Sequence, residues 1–179
     1  MSFDPNRPQV PDPYASLPPV PAFPLVSPQI VAGEPLPFAL SGDGGAHSPE
    51  LSWTGAPAET ASLLLTCFDP DAPMPGGYWH WLVVDVPAGT VGVAYDAGQV
   101  SGAGLDGAYS TPNSSGRVSY VGSAPPVGDQ YHRYFFVVHA LDVEHLALPR
   151  GAESSPVEVA EAALPHTIAR AVLMGTYQR

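Results

Sequence analysis

Asp69-Pro70-Asp71-Ala72-Pro73, with Trp79-His80-Trp81 shortly after it, stands between two apolar runs, Ser62–Phe68 and His80–Val86. In both runs several consecutive positions are apolar rather than alternating, the pattern of a central strand covered on both faces. A third such run, Tyr134–Leu141, follows a second proline loop, Gly122-Ser123-Ala124-Pro125-Pro126, and is introduced by His132-Arg133. Proline fixes φ and lacks an N–H, so loops of this kind lose little entropy when they order around a ligand. Two acids, two imidazoles and a phenol are thereby expected to converge where a charged headgroup can sit.

Outward from these runs, residues 23–141 are rich in short apolar segments bounded by Gly, Pro, Asp and Asn, the signature of strands and turns. Weaker strands are expected at Val26–Val31, Leu36–Ala39, Leu51–Trp53 and Val118–Val121. Gly42–Gly45, Ala97–Gly107 and Asn113–Gly116 read as surface loops. Only the C-terminal part looks helical. Pro156 suits a first turn after Ser154 or Ser155 as cap, with Glu158 and Glu161 near the positive end of the dipole. Val157, Ala160, Leu164 and Ile168 form the expected apolar stripe, Pro165 a kink, and Ala171–Tyr177 a closing strand. Residues 1–22 form a Pro-rich segment that favours extended conformation. Disorder is expected to about residue 12, and beyond it a strap packed through Tyr14, Leu17 and Val20. The remainder, 23–179, reads as one domain.

The chain has 179 residues, 45% of them hydrophobic, enough for one core. Six arginines and no lysine leave a net charge of −11. That balance excludes nucleic acid or an anionic membrane surface as a partner held by charge. The lone Cys67 excludes an internal disulfide and a cysteine zinc site, and its apolar setting reads as a buried, inert thiol. No basic region followed by an apolar stretch opens the chain, and no window approaches ~18 apolar residues. A cytoplasmic protein without integral membrane association is expected.

Each motif residue also has a plain structural reading. Asp69 and Asp71 are turn formers when read alone, because Asp side chains bond the backbone two residues on. Trp79 and Trp81 read as core and rim packing, and His80 in isolation as a satisfied strand histidine. Arg133 suits a buried partner for Asp69 or Asp71. His139 lies in an apolar run and reads as core, whereas His47, His145 and His166 read as loop or helix-surface residues. In concert the residues make a pocket. Histidine changes charge near neutrality, so His80 and His132 can donate to an anion, and a neighbouring carboxylate favours the protonated form. Backbone N–H groups around Gly122 can add donors.

These motifs, together with Ser48-Pro49-Glu50-Leu51-Ser52-Trp53-Thr54-Gly55 and the ending Gly175-Thr176-Tyr177, resemble the bacterial branch of the phosphatidylethanolamine-binding protein family, which includes Raf-kinase-inhibitor-like proteins. The resemblance runs from about Phe23 to the C-terminus. It implies a mostly β, sandwich-like body with a C-terminal helix and an anion pocket at one end. Carried over, the pocket uses Asp69, Asp71, Pro73, His80, Pro125, Pro126, His132 and Tyr134, with Tyr120 and Gly122 nearby. Family members bind phosphate-bearing molecules, phosphate and acetate-like anions, and some inhibit kinases or serine proteases. Two departures stand out. Gly-Ser-Ala precedes the two prolines where many members carry Gly-Pro, and Asp85 stands where Asn is common.

The expected function is therefore a non-catalytic binder of small anions, without cofactor or metal, that regulates a partner kinase or protease. Two competitors remain. One is an enzyme using the same residues as metal ligands or as general acid and base, against which no H-x-H, H-E-x-x-H or G-x-S-x-G spacing is present. The other is a homodimeric interaction module strapped by the Pro-rich segment.

Overall fold

The computed structural model describes residues 6–179. Its centre is β3 (Ser62–Asp69), buried at every position. On one side of β3 lies β4 (Tyr78–Pro87), and on the other β7 (His132–Leu141). The short β6 (Tyr109–Ser110) and the long β8 (Thr167–Tyr177) complete a five-stranded antiparallel sheet in the order β6-β4-β3-β7-β8. A small antiparallel sheet, β1 (Leu25–Val26), β2 (Leu51–Trp53) and β5 (Gly92–Val93), covers one face.

The unbroken apolar runs have a direct explanation: the large sheet carries a core on each face. Leu63, Leu65, Trp81, Val83, Phe136 and Val138 pack with Leu51, Trp53 and Val93 of the small sheet. Leu64, Leu82, Val84 and Leu141 pack on the opposite face against Val159 and Ala163 of helix α1 (Pro156–Ala163). Cys67 is buried, and desolvation holds its thiol well above the usual range, as the inert reading expects.

Two register shifts interrupt β4. Cys67 pairs with Trp81 and Phe68 with Trp79, so His80 is an extra residue on β4. Leu63 pairs with Val86 and Leu65 with Val83, which leaves Val84 and Asp85 opposite the single residue Leu64. Asp85 takes φ +55°, a left-handed conformation that Asp and Asn tolerate. Its carboxylate accepts the Leu146 N–H (3.0 Å) and pairs with His145 (3.0 Å), away from the residues of the two proline loops.

Several expectations are corrected. Of Val26–Val31 only Val26 is strand, paired as the second residue of β1, because Pro28 cannot donate to a ladder. Leu36–Ala39 is not a strand: a 3-10 turn covers Phe38–Leu40, and the preceding segment runs beside β8 through Leu36 N–H to the Thr176 carbonyl. Val118–Val121 forms no strand, yet Val121 N–H still reaches the His80 carbonyl. Ala97–Gly107 contains 3-10 turns. The helix begins as expected, with Ser155 and Glu158 forming a capping box around Pro156. Its buried face is Val159 and Ala163, however, while Val157 and Leu164 are exposed. With only eight residues, the helix takes its phase from the cap and from the strand after Pro165 rather than from a long stripe.

The N-terminal segment is placed earlier than expected. Arg7 bonds to Asp129, and Arg133 reaches the Val10 carbonyl at 2.6 Å. Disorder expected for residues 1–5 falls outside the described residues. The strap continues through Tyr14, whose ring sits 5.7 Å from Phe135. Val159→Ala is expected to cost about 2 kcal/mol, and Val157→Ala to stay within ~0.5 kcal/mol, in urea unfolding. Equal losses would restore the originally expected helix face.

Candidate functional site

The two proline loops meet at the end of β3. Asp69, the last residue of β3, has both of its oxygens engaged. Oδ1 accepts the Asp71 N–H at 2.8 Å, the turn-forming role, and Oδ2 pairs with His132 Nδ1 at 2.7 Å. Asp71 is fully committed elsewhere: it accepts from Arg133 N–H (3.0 Å), Nε (2.8 Å) and Nη2 (2.8 Å). The structure thus pairs buried Asp71 with half-buried Arg133, which ties the first loop to β7.

His132 lies between two carboxylates. Its Nε2 pairs with Asp129 Oδ2 at 3.0 Å, opposite the bond to Asp69. Burial alone lowers an imidazole pKa, but the two carboxylates outweigh it and raise that of His132. Burial also pushes Asp129 up, yet bonds from Arg7 and His132 hold it down at about 2. Arg7 from the strap caps the array, with Nη2 donating to Asp129 (3.0 Å) and to the Asp71 carbonyl (2.6 Å). Three buried carboxylates are thus matched by three cations. Both ring nitrogens of His132 are engaged by carboxylates of the protein.

His80 plays a different part. As the extra residue of the β4 register shift, it turns toward the same face as Trp81, while Trp79 packs on Phe68 at 4.4 Å. Its Nδ1 meets the Val121 carbonyl at 2.7 Å, which fixes the neutral tautomer with the proton on Nδ1 and Nε2 as acceptor. Burial lowers its pKa, and Asp69 and the carbonyls of Val121 and Gly122 only partly oppose this. The ring stands edge-on to Tyr134 at 5.2 Å.

A cavity of about 550 Å³ opens beside these groups. Asp69, Pro73, His80, Tyr120 and Gly122 line it, as do Pro125, Pro126, His132 and Tyr134. The Tyr120 hydroxyl is committed to the Leu40 carbonyl (3.0 Å). The Tyr134 hydroxyl is buried near Asp69 without a completed hydrogen bond, and burial raises its pKa strongly. Gly122 packs so tightly on Ser41 and Gly42 that a Cβ would lie 2.3 Å from the Ser41 carbonyl carbon. The departure at Ser123 leaves the loop well fixed, since Ser123 N–H and C=O bond to Leu40 (3.2 Å) and Gly42 (2.9 Å).

Three contributors escaped the sequence. Asp129 belongs to none of the motifs, although its i, i+3 spacing to His132 carried a signal. Asn113, read as surface loop, is buried and binds the Ser119 carbonyl (2.9 Å) and the Arg117 N–H (3.2 Å), with a longer contact to the His80 carbonyl. Arg117 is exposed at the rim of the cavity and brings a cation to it.

The comparisons with known proteins place the chain in a family and match its fold. A family model described as phosphatidylethanolamine-binding protein matches residues 26–178. The chain is 41% identical over 138 residues to the UPF0098 protein YbhB of Escherichia coli, covering 74% of this chain and 87% of that one. It is 38% identical over 163 residues to YbcL of the same organism, with 88% of each covered. The crystal structure of E. coli YbcL, described as a member of the mammalian PEBP family, superposes with a TM-score of 0.83 at 35% identity over 88% of this chain and 98% of that one. A phosphatidylethanolamine-binding protein homolog from Chlamydia trachomatis gives 0.72 at 33%, with the same coverage.

The array sets a pH window for stability. The Asp129 contribution is present above about pH 4 and is lost as pH falls toward 2. The His132 contribution is present below about pH 6.5 and is lost as pH rises through its elevated pKa. Asp129→Asn is expected to cost about 3 kcal/mol near pH 5.5 and to flatten both limbs of the stability profile. Denaturant unfolding across pH checks this, and an unchanged profile would refute it.

Proposed function

Because the chain belongs to the phosphatidylethanolamine-binding protein family, we propose that the cavity between the two proline loops binds a small oxyanion, a phosphate monoester or a carboxylate, without breaking a bond. One observation carries the reading. The His80 ring, anchored through Nδ1 on Val121, stands beside the unpartnered hydroxyl of Tyr134 in the cavity wall. Both groups are available to a ligand, whereas Asp71, His132 and Tyr120 are consumed by the scaffold. Among the described residues the Gly122 N–H has no protein acceptor and adds a donor. Arg117 supplies charge at the rim, which an anion site in so acidic a chain needs.

His80 is uncharged at neutral pH in the free protein, so an anion recruits a proton to Nε2 as it binds. Occupancy is therefore proton-linked. A catalytic reading is weaker, because His132 cannot act as a base while both nitrogens face carboxylates. The strap packs on the body of the chain through Arg7, Val10 and Tyr14. Regulation of a partner kinase or protease is the role we attach to such a pocket. Among the described residues no helix is long and apolar enough to cross a membrane.

Sulfate keeps its charge across the range in which histidine titrates and is a suitable probe. Its affinity, read by calorimetry, is expected to fall by about tenfold per pH unit above the His80 pKa, as one coupled proton requires. His80→Ala abolishes the pH dependence, and Tyr134→Phe weakens binding by about tenfold. Phosphoethanolamine is expected to follow the same order. Sulfate affinity that is independent of pH, or unchanged in both variants, would sink the proposal.

A further inference from the structure

The opposite face of the large sheet holds a second cavity, of about 240 Å³, enclosed by the strap, β3, β4, β7, β8 and α1. Its walls are mostly apolar, with Leu64, Phe68, Leu82, Val159 and Ala163 among them. One patch is not. Arg170 lines the cavity with only 8% of its surface exposed, and among the described residues no carboxylate approaches its guanidinium within 4 Å. Among the described residues its Nε has no acceptor either. The Tyr14 ring lies 5.6 Å from the guanidinium, a contact that offsets part of the desolvation but supplies no lone pair in the guanidinium plane. Around it the Tyr14 hydroxyl, the Thr66 hydroxyl and His139 Nδ1 are buried without partners. The Thr66 hydroxyl is near the Tyr14 phenol but completes no bond to it.

A buried guanidinium without a counter-charge is costly, and unpartnered buried polar groups are few in native proteins. Four such groups, one a guanidinium, gather around one apolar cavity and form a patch suited to an anion. His139, opposite Arg170 across the β7–β8 ladder, is kept neutral by burial and by Arg170 itself, so the patch carries a single positive charge. Glu161 also lines the cavity but is exposed and makes no ion pair with Arg170. Water can satisfy hydroxyls at the polar end, but it does not neutralise the guanidinium. One planar cation matches one planar monoanion, and the guanidinium fork suits a carboxylate. The volume falls below the roughly 300–1,000 Å³ of sites for drug-sized ligands, so the tail must be short.

We propose that this cavity binds a monocarboxylate with a short, unbranched apolar tail, its carboxylate on Arg170 and the hydroxyls of Tyr14 and Thr66, its tail along Leu64, Leu82 and Val159. The site is separate from the anion pocket, and its ligand is an amphiphile rather than a phosphate.

The full chain titrated with sodium octanoate tests it, by calorimetry and by the emission of Trp79, which lines this cavity and not the other. One octanoate per chain is expected, with affinity rising from butanoate to octanoate and octanol binding more weakly. Arg170→Met is expected to weaken octanoate by about tenfold or more while leaving sulfate binding at the other cavity unchanged. Ala160→Phe places bulk in the same cavity from α1 and is expected to abolish octanoate binding; it decides the matter if Arg170→Met does not fold. No response to millimolar octanoate, octanol binding as tightly as octanoate, or octanoate affinity unaffected by either variant would overturn the proposal.

Discussion

An imidazolium held between two carboxylates is the constraint on which the rest of the site depends. His132 joins Asp69 at the end of β3 to Asp129 in the loop before β7, and Arg7 draws the N-terminal strap onto the same point. Each charge is tolerable in the interior only because the others are there, since an unpaired buried ion is strongly destabilising. The array therefore fixes the two proline loops relative to one another before any ligand arrives. Asp71 with Arg133 does the same, two residues beyond Asp69 and one beyond His132. His80 Nε2 and the Tyr134 hydroxyl take no part in either network.

That division of labour starts in β4. An ordinary strand would send His80 and Trp81 to opposite faces, and the histidine would point away from Tyr134. The extra residue opposite Cys67 places His80 and Trp81 on one face and returns Trp79 and Leu82 to the other. Val121 then anchors the imidazole, Gly122 approaches Ser41 closely, and the cavity closes around the ring. Packing, hydrogen bonding and chemistry meet in a stretch of four residues.

The three long apolar runs were legible because a strand buried on both faces needs no alternation and stands out against polar turns. Among the short strands Leu51–Trp53 was legible, whereas the two-residue strands were not, since so short a pairing is set by its neighbours and leaves no periodicity. The motif residues Asp69, His80, His132 and Tyr134 were legible as a group, and the structure brings them to one cavity. Their roles were less so: whether a histidine is free or bracketed depends on Asp129, which no motif singles out, and on Arg7, which lies in the proline-rich segment. The helix was located by its cap, yet its phase was missed, because eight residues give a weak stripe and Pro165 ends it. Tyr14, Thr66, His139 and Arg170 come from four separate segments, so no local pattern announces their meeting.

The register shift at His80 has a consequence for how the chain can change. Substitutions in β4 alter one side chain at a time, but losing or gaining a single residue between Trp79 and Leu82 would invert every position on one flank of the change. The imidazole would enter the apolar face beneath α1, or the Trp81 indole would leave the core against Tyr120. Spacing in this strand is thus guarded more strictly than residue identity. Divergence among sequences that keep this architecture is expected to proceed here by replacement, with length changes confined to the loops.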